Sequence, residues 1–416
     1  MGSQPPSVAD LKDQFAQDNL ERLTKVKLPP QSSKPGIGSC EIVLDLLKSW
    51  SNDNKATIQD AVDAQVFGGK GAIDWSIAFL PFMESVGVYL RDWGTVLEAT
   101  KAYQLYQDTG ANDETQLRQA LDLYHSAHEQ IEELAQLWGM HFFNICDLVI
   151  ESPDGHPRWD GPFCGAFAPI DKQTDKPFIG VAFKGTNPFQ LREDLVDFNY
   201  ELMTAGEDLD FQSVSTGVYT GLFSKFGMDE TPFEAIQKKL NTLAATFQST
   251  TIATGPTLQP RVHVTGHSLG GSYSSLCYAA LISGGPELIP PSFSMGDEYT
   301  FGSPRVGSKD WAEWTNSQVL KSEGQSWRIV LNTDIVPQVP PTVLKPDQTD
   351  FYHVDQGVRI FKDSPPKLIS SEVEGPPPTP LSIKNLIELI KFVGDSTEHL
   401  PNFYREALLY AIQHQT

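Results

Sequence analysis

The residues best suited to chemistry surround a serine in a glycine-rich turn. Ser268 stands in Gly266-His267-Ser268-Leu269-Gly270-Gly271, a Gly-x-Ser-x-Gly pattern. The pattern follows a predicted strand at 261–265 and precedes a predicted helix at 270–283. In such a strand–turn–helix context the serine lies on a strained turn, and the helix behind it favours an oxyanion. Ser268 is therefore predicted to be a nucleophile; the alternative is a tight turn with a structural serine.

A serine needs a base to take its proton, and the base needs a group that orients it. Asp334 follows a predicted strand at 327–332. Its carboxylate is therefore expected at the C-terminal end of that strand, where parallel sheets build their sites. A loop aspartate that caps a turn before Pro337 is the alternative.

Three histidines follow Asp334 and are candidates for the base. His399 precedes a predicted helix in a loop, from which an imidazole can reach both partners. His353 falls inside a predicted strand, and His414 falls in the last residues, which commonly fray. We therefore favour His399, and we expect His267, beside the serine, to have a supporting role.

The elements that must position these residues alternate between strand and helix patterns. A mostly parallel α/β sheet is expected, which begins with a hairpin and has strands at 163–170, 177–184, 261–265, 299–302, 327–332 and 351–361. Helical patterns occur at 9–23, 74–102, 114–147, 381–393 and 401–413. We predict an N-terminal arm (1–38), a helical N-terminal region packed on the catalytic domain (39–160) and a catalytic domain (161–416).

The charge balance restricts the partners of this chain. The 416 residues carry a formal net charge of -22. An acidic surface repels phosphate backbones and anionic lipid head groups, so nucleic-acid binding is not expected. Neutral lipids and esters are better electrostatic matches, although acidity that only aids solubility is the simpler explanation.

No motif predicts a metal or an organic cofactor. The four cysteines are widely spaced and read as reduced thiols: Cys40, Cys146, Cys164 and Cys277. The Gly-Gly-Lys-Gly sequence at 68–71 lacks the spacing of a phosphate-binding loop. His125 and His128 lie among glutamates, and an acidic helix face explains them better than a metal site.

The sequence shows neither a leader pattern nor a membrane-spanning stretch. A cytoplasmic location is therefore expected. A secreted protein written without its leader would give the same pattern, and oligomeric state is left open.

Five ordered segments resemble the class 3 (fungal-type) lipases. Besides the serine turn, they are Val181–Thr186, Phe301–Gly307, Asn332–Pro337 followed by Pro340-Pro341, and His399-Leu400 with Tyr404. The resemblance implies an α/β-hydrolase fold and a Ser268–Asp334–His399 triad. It also implies oxyanion donors at the backbone N–H groups of Thr186 and Leu269.

The same resemblance implies a lid after the oxyanion loop. Residues 187–203 mix apolar and acidic side chains and could cover the site in water and open on a lipid surface. A buried helix unrelated to gating is the alternative.

These features predict a serine ester hydrolase that cleaves acylglycerols at a lipid–water interface without a cofactor. The alternatives are a carboxylesterase for soluble or aromatic acyl esters and a catalytically silent, ligand-binding hydrolase fold.

Overall fold

The structure of this chain is a computed structural model. It describes residues 6–29, 41–64, 66–151, 156–159, 161–170, 177–185, 201–250, 257–284, 292–340, 351–354, 356–374 and 397–415.

A mixed sheet of eight strands forms the centre of the molecule, and its strands follow one another in chain order. They are β1 (Met140–Asp147), β2 (Phe163–Pro169), β3 (Phe178–Phe183), β4 (Arg261–His267), β5 (Ser294–Phe301), β6 (Ser326–Leu331), β7 (Gly357–Ile360) and β8 (Lys367–Leu368). The ladders from β3 to β7 are parallel, and the β1–β2, β2–β3 and β7–β8 pairs are antiparallel. The predicted mostly parallel sheet of an α/β-hydrolase fold, with its opening hairpin, is confirmed.

Helices cover both faces of the sheet. In the N-terminal part they are α1 (Val8–Leu23), α2 (Glu41–Asp53), α3 (Lys55–Ala64), α4 (Trp75–Gly87), α5 (Trp93–Asp108), α6 (Glu114–Ser126) and α7 (Glu129–Leu137). Later helices are α8 (Thr216–Phe223), α9 (Pro232–Phe247), α10 (Leu269–Ser283), α11 (Lys309–Lys321) and α12 (Pro401–Gln413). Within the described ranges, no helix is long and apolar enough to cross a membrane.

Short pieces complete the chain path. In the part of the chain that the structure describes, two-stranded ribbons pair Ile150–Glu151 with Pro157–Arg158, Leu202–Thr204 with Ser213–Ser215, and Ser249–Thr250 with Thr257–Leu258. Within the described residues, single 3-10 turns lie at Val88–Leu90, Glu207–Leu209, Val336–Gln338 and Thr397–His399.

Side chains alternate between the two faces of each strand, so the sheet separates two cores. On β3, Ile179 and Val181 enter the core under α9 and α10, whereas Phe178 and Ala182 enter the core under α4 and α12. The nucleophile turn therefore lies between a helix packed on one face and helices packed on the other.

Two sequence expectations need correction. Residues 140–147, predicted as helical, form strand β1, because Gly139 ends the preceding helix with φ of +73° and the following Phe142, Phe143 and Ile145 suit a pleated surface. The strand predicted at 351–361 is limited to β7, with one isolated bridge at Tyr352. The helix predicted at 381–393 lies outside the described residues.

A buried ion pair joins the N-terminal helices to the sheet. The Arg91 guanidinium binds both carboxylate oxygens of Asp147 at the end of β1 and also donates to Tyr124 Oη at 3.1 Å. Neither charged side chain is more than 3% exposed. The helical region and the sheet thus share one desolvated polar cluster.

Candidate active site

Ser268 occupies the turn between β4 and α10 in a strained conformation. Its φ of 59° and ψ of -133° lie in a region that non-glycine residues rarely adopt, which is typical of a nucleophile turn. Its N–H donates to the Phe301 carbonyl at 2.9 Å, which fastens the turn to β5. Side chains are excluded on both sides, since a β-carbon at Gly266 would lie 2.2 Å from the Gly270 oxygen.

Asp334 and His399 meet at the C-terminal edge of the sheet. Asp334 follows β6, and its Oδ1 accepts from the Val336 N–H at 2.9 Å, which fixes the carboxylate. Its Oδ2 accepts from His399 Nδ1 at 2.8 Å. Both side chains are buried, at 2% exposure each. The bond to Nδ1 assigns the proton to that nitrogen and leaves Nε2 as a base.

The serine oxygen and the base nitrogen are both buried. Among the described residues, Ser268 Oγ and His399 Nε2 have no hydrogen-bond partner. The His267 ring, one residue before the serine, stacks on the His399 ring with 4.7 Å between centroids. The nucleophile turn and the base therefore pack together. A hydrogen bond between a nucleophile and its base often tightens only when substrate binds.

The other histidines lie elsewhere. His353 donates from Nε2 to the Pro337 carbonyl at 2.6 Å, and burial lowers its pKa well below the usual range. This hydrogen bond holds the loop after Asp334, and the Asp334 carboxylate takes no part in it. His414 is exposed and bonds to the Tyr410 carbonyl. Of the three candidate histidines, His399 is the one that bonds to Asp334.

Leu269 is the predicted oxyanion residue that lies among the described residues. Leu269 begins α10, so its N–H stands at the positive end of a helix. Thr186 and most of the predicted lid, 187–200, lie outside the described residues. Gly185, just before Thr186, packs against the turn: a β-carbon there would lie 2.9 Å from the Gly270 nitrogen. The end of β3 therefore reaches the nucleophile turn.

Two tyrosines complete the surroundings. Tyr404 on α12 donates to Asp334 Oδ2 at 2.5 Å and accepts from the Leu331 N–H at 3.2 Å. Tyr89, in the N-terminal region, approaches His267 Nδ1 at 3.1 Å. No pattern in the sequence indicated Tyr89, because it is separated from the serine turn by 178 residues and belongs to no recognised motif.

The described residues contain no group of three or more histidine, cysteine or acidic side chains that could hold a metal ion. Cys146, Cys164 and Cys277 are buried free thiols, and burial raises the pKa of each. His125 instead pairs with Asp13 at 2.7 Å. Cys40 lies outside the described residues.

Comparisons with known proteins agree with the motifs. Residues 180–344 match the family model described as Lipase (class 3). The chain is 28% identical over 261 residues to triacylglycerol lipase OBL1 of Arabidopsis thaliana, covering 57% of this chain and 49% of that protein. It is 26% identical over 231 residues to a lipase of Rhizopus niveus, covering 51% of each. The chain thus spans about half the length of these curated relatives.

A solved structure and a further relative extend the comparison. Lipase II from Rhizopus niveus aligns over 59% of this chain and 76% of its own, with 22% identity and a TM-score of 0.37. A secreted mono- and diacylglycerol lipase 1 of Fusarium solani is 28% identical over 179 residues, covering 43% of this chain and 44% of its own. The match to the family model confirms the resemblance predicted from the motifs, and the matched residues 180–344 are referred to as the class 3 lipase segment.

Proposed function

We propose that this protein hydrolyses carboxylic esters through an acyl-enzyme, with Ser268 as nucleophile, His399 as base and Asp334 as the group that orients the base. The observation that carries the proposal is the buried Asp334–His399 hydrogen bond beside a strained serine turn. The class 3 lipase segment covers the serine and the aspartate, and His399 follows it.

The proposed reaction has two halves. Ser268 Oγ attacks the ester carbonyl carbon while His399 Nε2 takes the serine proton, and the oxyanion forms on the carbonyl oxygen. The ester C–O bond then breaks, and the alcohol leaves with the proton from Nε2. In the second half, water attacks the acyl-enzyme with His399 again as base, which releases the acid and restores the serine.

The developing charges need stabilisation. We propose the N–H groups of Leu269 and Thr186 as oxyanion donors, and one such donor is typically worth about 10²–10³ in kcat. The Asp334 carboxylate stabilises the imidazolium that forms on His399 as the oxyanion develops.

The proposed substrates are neutral acylglycerols. Relatives named as triacylglycerol lipases and the class 3 lipase segment support this class. The net charge of -22 disfavours anionic lipid surfaces and leaves neutral interfaces accessible. We also propose a lid at residues 187–203. The proposed location is cytoplasmic, or secreted like the Fusarium relative.

Initial rates against p-nitrophenyl esters from acetate to palmitate test the proposal. The rate of Ser268→Ala should be at least about 10³-fold lower than the wild-type rate. Ser283→Ala, at the other end of the same helix, is the matched control and should keep the wild-type rate. Turnover retained by Ser268→Ala would overturn the assignment.

The chain-length profile separates the two enzyme classes. A rate that jumps when a long-chain ester passes its solubility limit indicates a lipase, whereas a rate that follows dissolved monomer indicates the carboxylesterase. Absence of turnover together with failure of a phosphonate probe to label Ser268 would favour the silent, ligand-binding alternative.

A further inference from the structure

A tyrosine outside the lipase segment reaches the centre of the site. Tyr89 lies in a 3-10 turn, Val88–Leu90, that follows α4 in the N-terminal helical region. Its hydroxyl lies 3.1 Å from His267 Nδ1. A β-carbon at Gly185 would lie only 2.7 Å from the same hydroxyl. Tyr89 therefore contacts both the serine turn and the chain just before Thr186.

The hydrogen bonds of His267 define its protonation. His267 Nε2 lies 3.0 Å from the His399 backbone oxygen, which can only accept, so Nε2 carries the proton. Burial, and secondarily His399, lower the pKa of His267 well below the usual range, so the ring is neutral. A neutral ring protonated at Nε2 has a bare Nδ1. Tyr89 therefore donates its hydroxyl proton to Nδ1 at 3.1 Å, and the His267 carbonyl oxygen lies farther from the same hydroxyl, at 3.4 Å.

The second contact between the two histidines is a ring stack. The His267 and His399 rings are 4.7 Å apart between centroids and 29° from parallel. A neutral ring in this place tolerates the positive charge that His399 gains during the reaction, whereas a protonated one would repel it. His267 thus holds His399 by its backbone oxygen and by its ring face.

We propose that Tyr89 and His267 are positioning residues that hold His399 in its working orientation, so that the N-terminal helical region completes the active site. This inference rests on the proposed function for the role of His399. The connection is linear: Tyr89 fixes the tautomer and rotation of His267, and His267 fixes the backbone and ring of His399. Asp334 holds the His399 ring independently, through Nδ1.

A merely structural role would give different results. Buried core residues affect stability and leave turnover per folded molecule unchanged. Misplacement of a catalytic base lowers kcat with little change in KM, since substrate binding does not depend on the base. The kcat-against-KM division is therefore the informative readout.

The first variant is Tyr89→Phe, which removes one hydroxyl. We expect kcat to fall by about 3–10-fold, the equivalent of one buried hydrogen bond, with KM within twofold of wild type. Tyr124→Phe is the matched control, because its hydroxyl is buried in the same region but binds Asp147 and Arg91. This control should lower the melting temperature and leave kcat within twofold.

Two substitutions at His267 separate its two nitrogens. In His267→Gln the amide nitrogen takes the place of Nε2 and keeps the donor to His399, whereas the acceptor for Tyr89 is lost. Adding Tyr89→Phe to this variant should then cause no further loss of kcat. In His267→Asn the amide oxygen takes the place of Nδ1, so the donor to His399 is lost, and kcat should fall by about 10–100-fold.

A spectroscopic readout makes the inference independent of turnover. The His399 Nδ1–H proton, hydrogen-bonded to Asp334, gives a low-field NMR signal whose exchange with water reports on how firmly the ring is held. Tyr89→Phe should accelerate this exchange at least about fivefold, and Tyr124→Phe should not. An unchanged signal together with kcat within twofold of wild type in Tyr89→Phe would overturn the inference. If Ser268→Ala retains activity, the proposed function fails instead, and the NMR signal alone decides whether Tyr89 positions His399.

Discussion

Gly302 lies directly against His399, with no room between them for a side chain. A β-carbon at position 302 would lie 2.9 Å from His399 Cε1, and it would also lie 2.8 Å from Asp334 Oδ2. The φ of Gly302 is +64°, a left-handed conformation that favours glycine. The Phe301–Gly307 motif thus places a residue without a side chain beside the base.

Gly302→Ala should therefore disable the site. We expect kcat to fall at least about 100-fold because the added methyl group displaces His399 or Asp334, and a misplacement of about 1 Å can cost that much. Gly284→Ala is the matched control: Gly284 has the same φ of +64°, and nothing lies within 4 Å of its β-carbon position. Both positions have the same positive φ, so a difference between the two variants in steady-state kinetics reports the contact. Equal kcat values in the two variants would contradict a clash between a side chain at position 302 and His399 or Asp334.

Tyr404 holds the same carboxylate oxygen that binds His399. Tyr404→Phe should lower kcat by about 3–10-fold and the free energy of unfolding by about 1 kcal/mol, because Asp334 loses a donor and the Leu331 N–H loses an acceptor. Tyr278→Phe removes another buried hydroxyl, which donates to the Gly296 carbonyl at 3.0 Å, and it should affect only unfolding. Urea unfolding and ester kinetics on both variants check this; a normal kcat in Tyr404→Phe would remove Tyr404 from the site.

Glu298 on β5 is a buried carboxyl under the nucleophile helix. It accepts from Ser275 at 2.9 Å and from Ser326 at 2.6 Å, and burial raises its pKa from 4.5 to about 7. Because the folded-state pKa lies above the unfolded value, its contribution is fully present below pH 4.5 and is lost as the pH rises to about 7. The corresponding loss in the free energy of unfolding is about 3 kcal/mol.

Glu298→Gln should remove this part of the pH dependence. Urea unfolding at pH 5, 6, 7 and 8 should show the variant gaining up to about 3 kcal/mol relative to wild type between pH 5 and 8. Glu313→Gln, at an exposed position on α11, should show no such gain. Parallel stability curves for Glu298→Gln and wild type would mean that Glu298 stays ionised in the folded protein.

The Arg91–Asp147 pair tests whether the N-terminal helices and the sheet unfold together. Arg91→Met leaves a buried carboxylate unpaired and should lower the free energy of unfolding by about 3–5 kcal/mol. Arg118→Met breaks exposed pairs with Asp13 and Asp122 and should cost less than about 1 kcal/mol. A separate early transition confined to the helical region would instead support the predicted division near residue 160.

The site residues that could be predicted from the sequence are marked by local sequence patterns. Ser268 and Asp334 follow strands at the C-terminal edge of the sheet, and chain order then indicates a later histidine. The choice of His399 over His353 depended on a loop position, which the structure places beside Asp334. His353 is found on the Pro337 carbonyl instead, a contact that no sequence pattern encodes.

What the sequence could not supply comes from tertiary contacts. Tyr89 reaches the site only because α4 packs across the sheet, and a periodic apolar pattern identifies such a helix as core without indicating its neighbours. The sequence pattern does not distinguish strand β1 from a helix, because its apolar residues continue the pattern of α7 past Gly139. A helix and a buried strand have similar sequences there.

The most direct test of the central claim is covalent labelling by a fluorophosphonate, followed by mass spectrometry of the peptides. We expect one adduct per chain, on Ser268, and we expect it to form at least about 100-fold more slowly in His399→Ala because the serine then lacks its base. An adduct on another residue, or equal labelling rates in wild type and His399→Ala, would contradict the assignment of Ser268 and His399 as nucleophile and base.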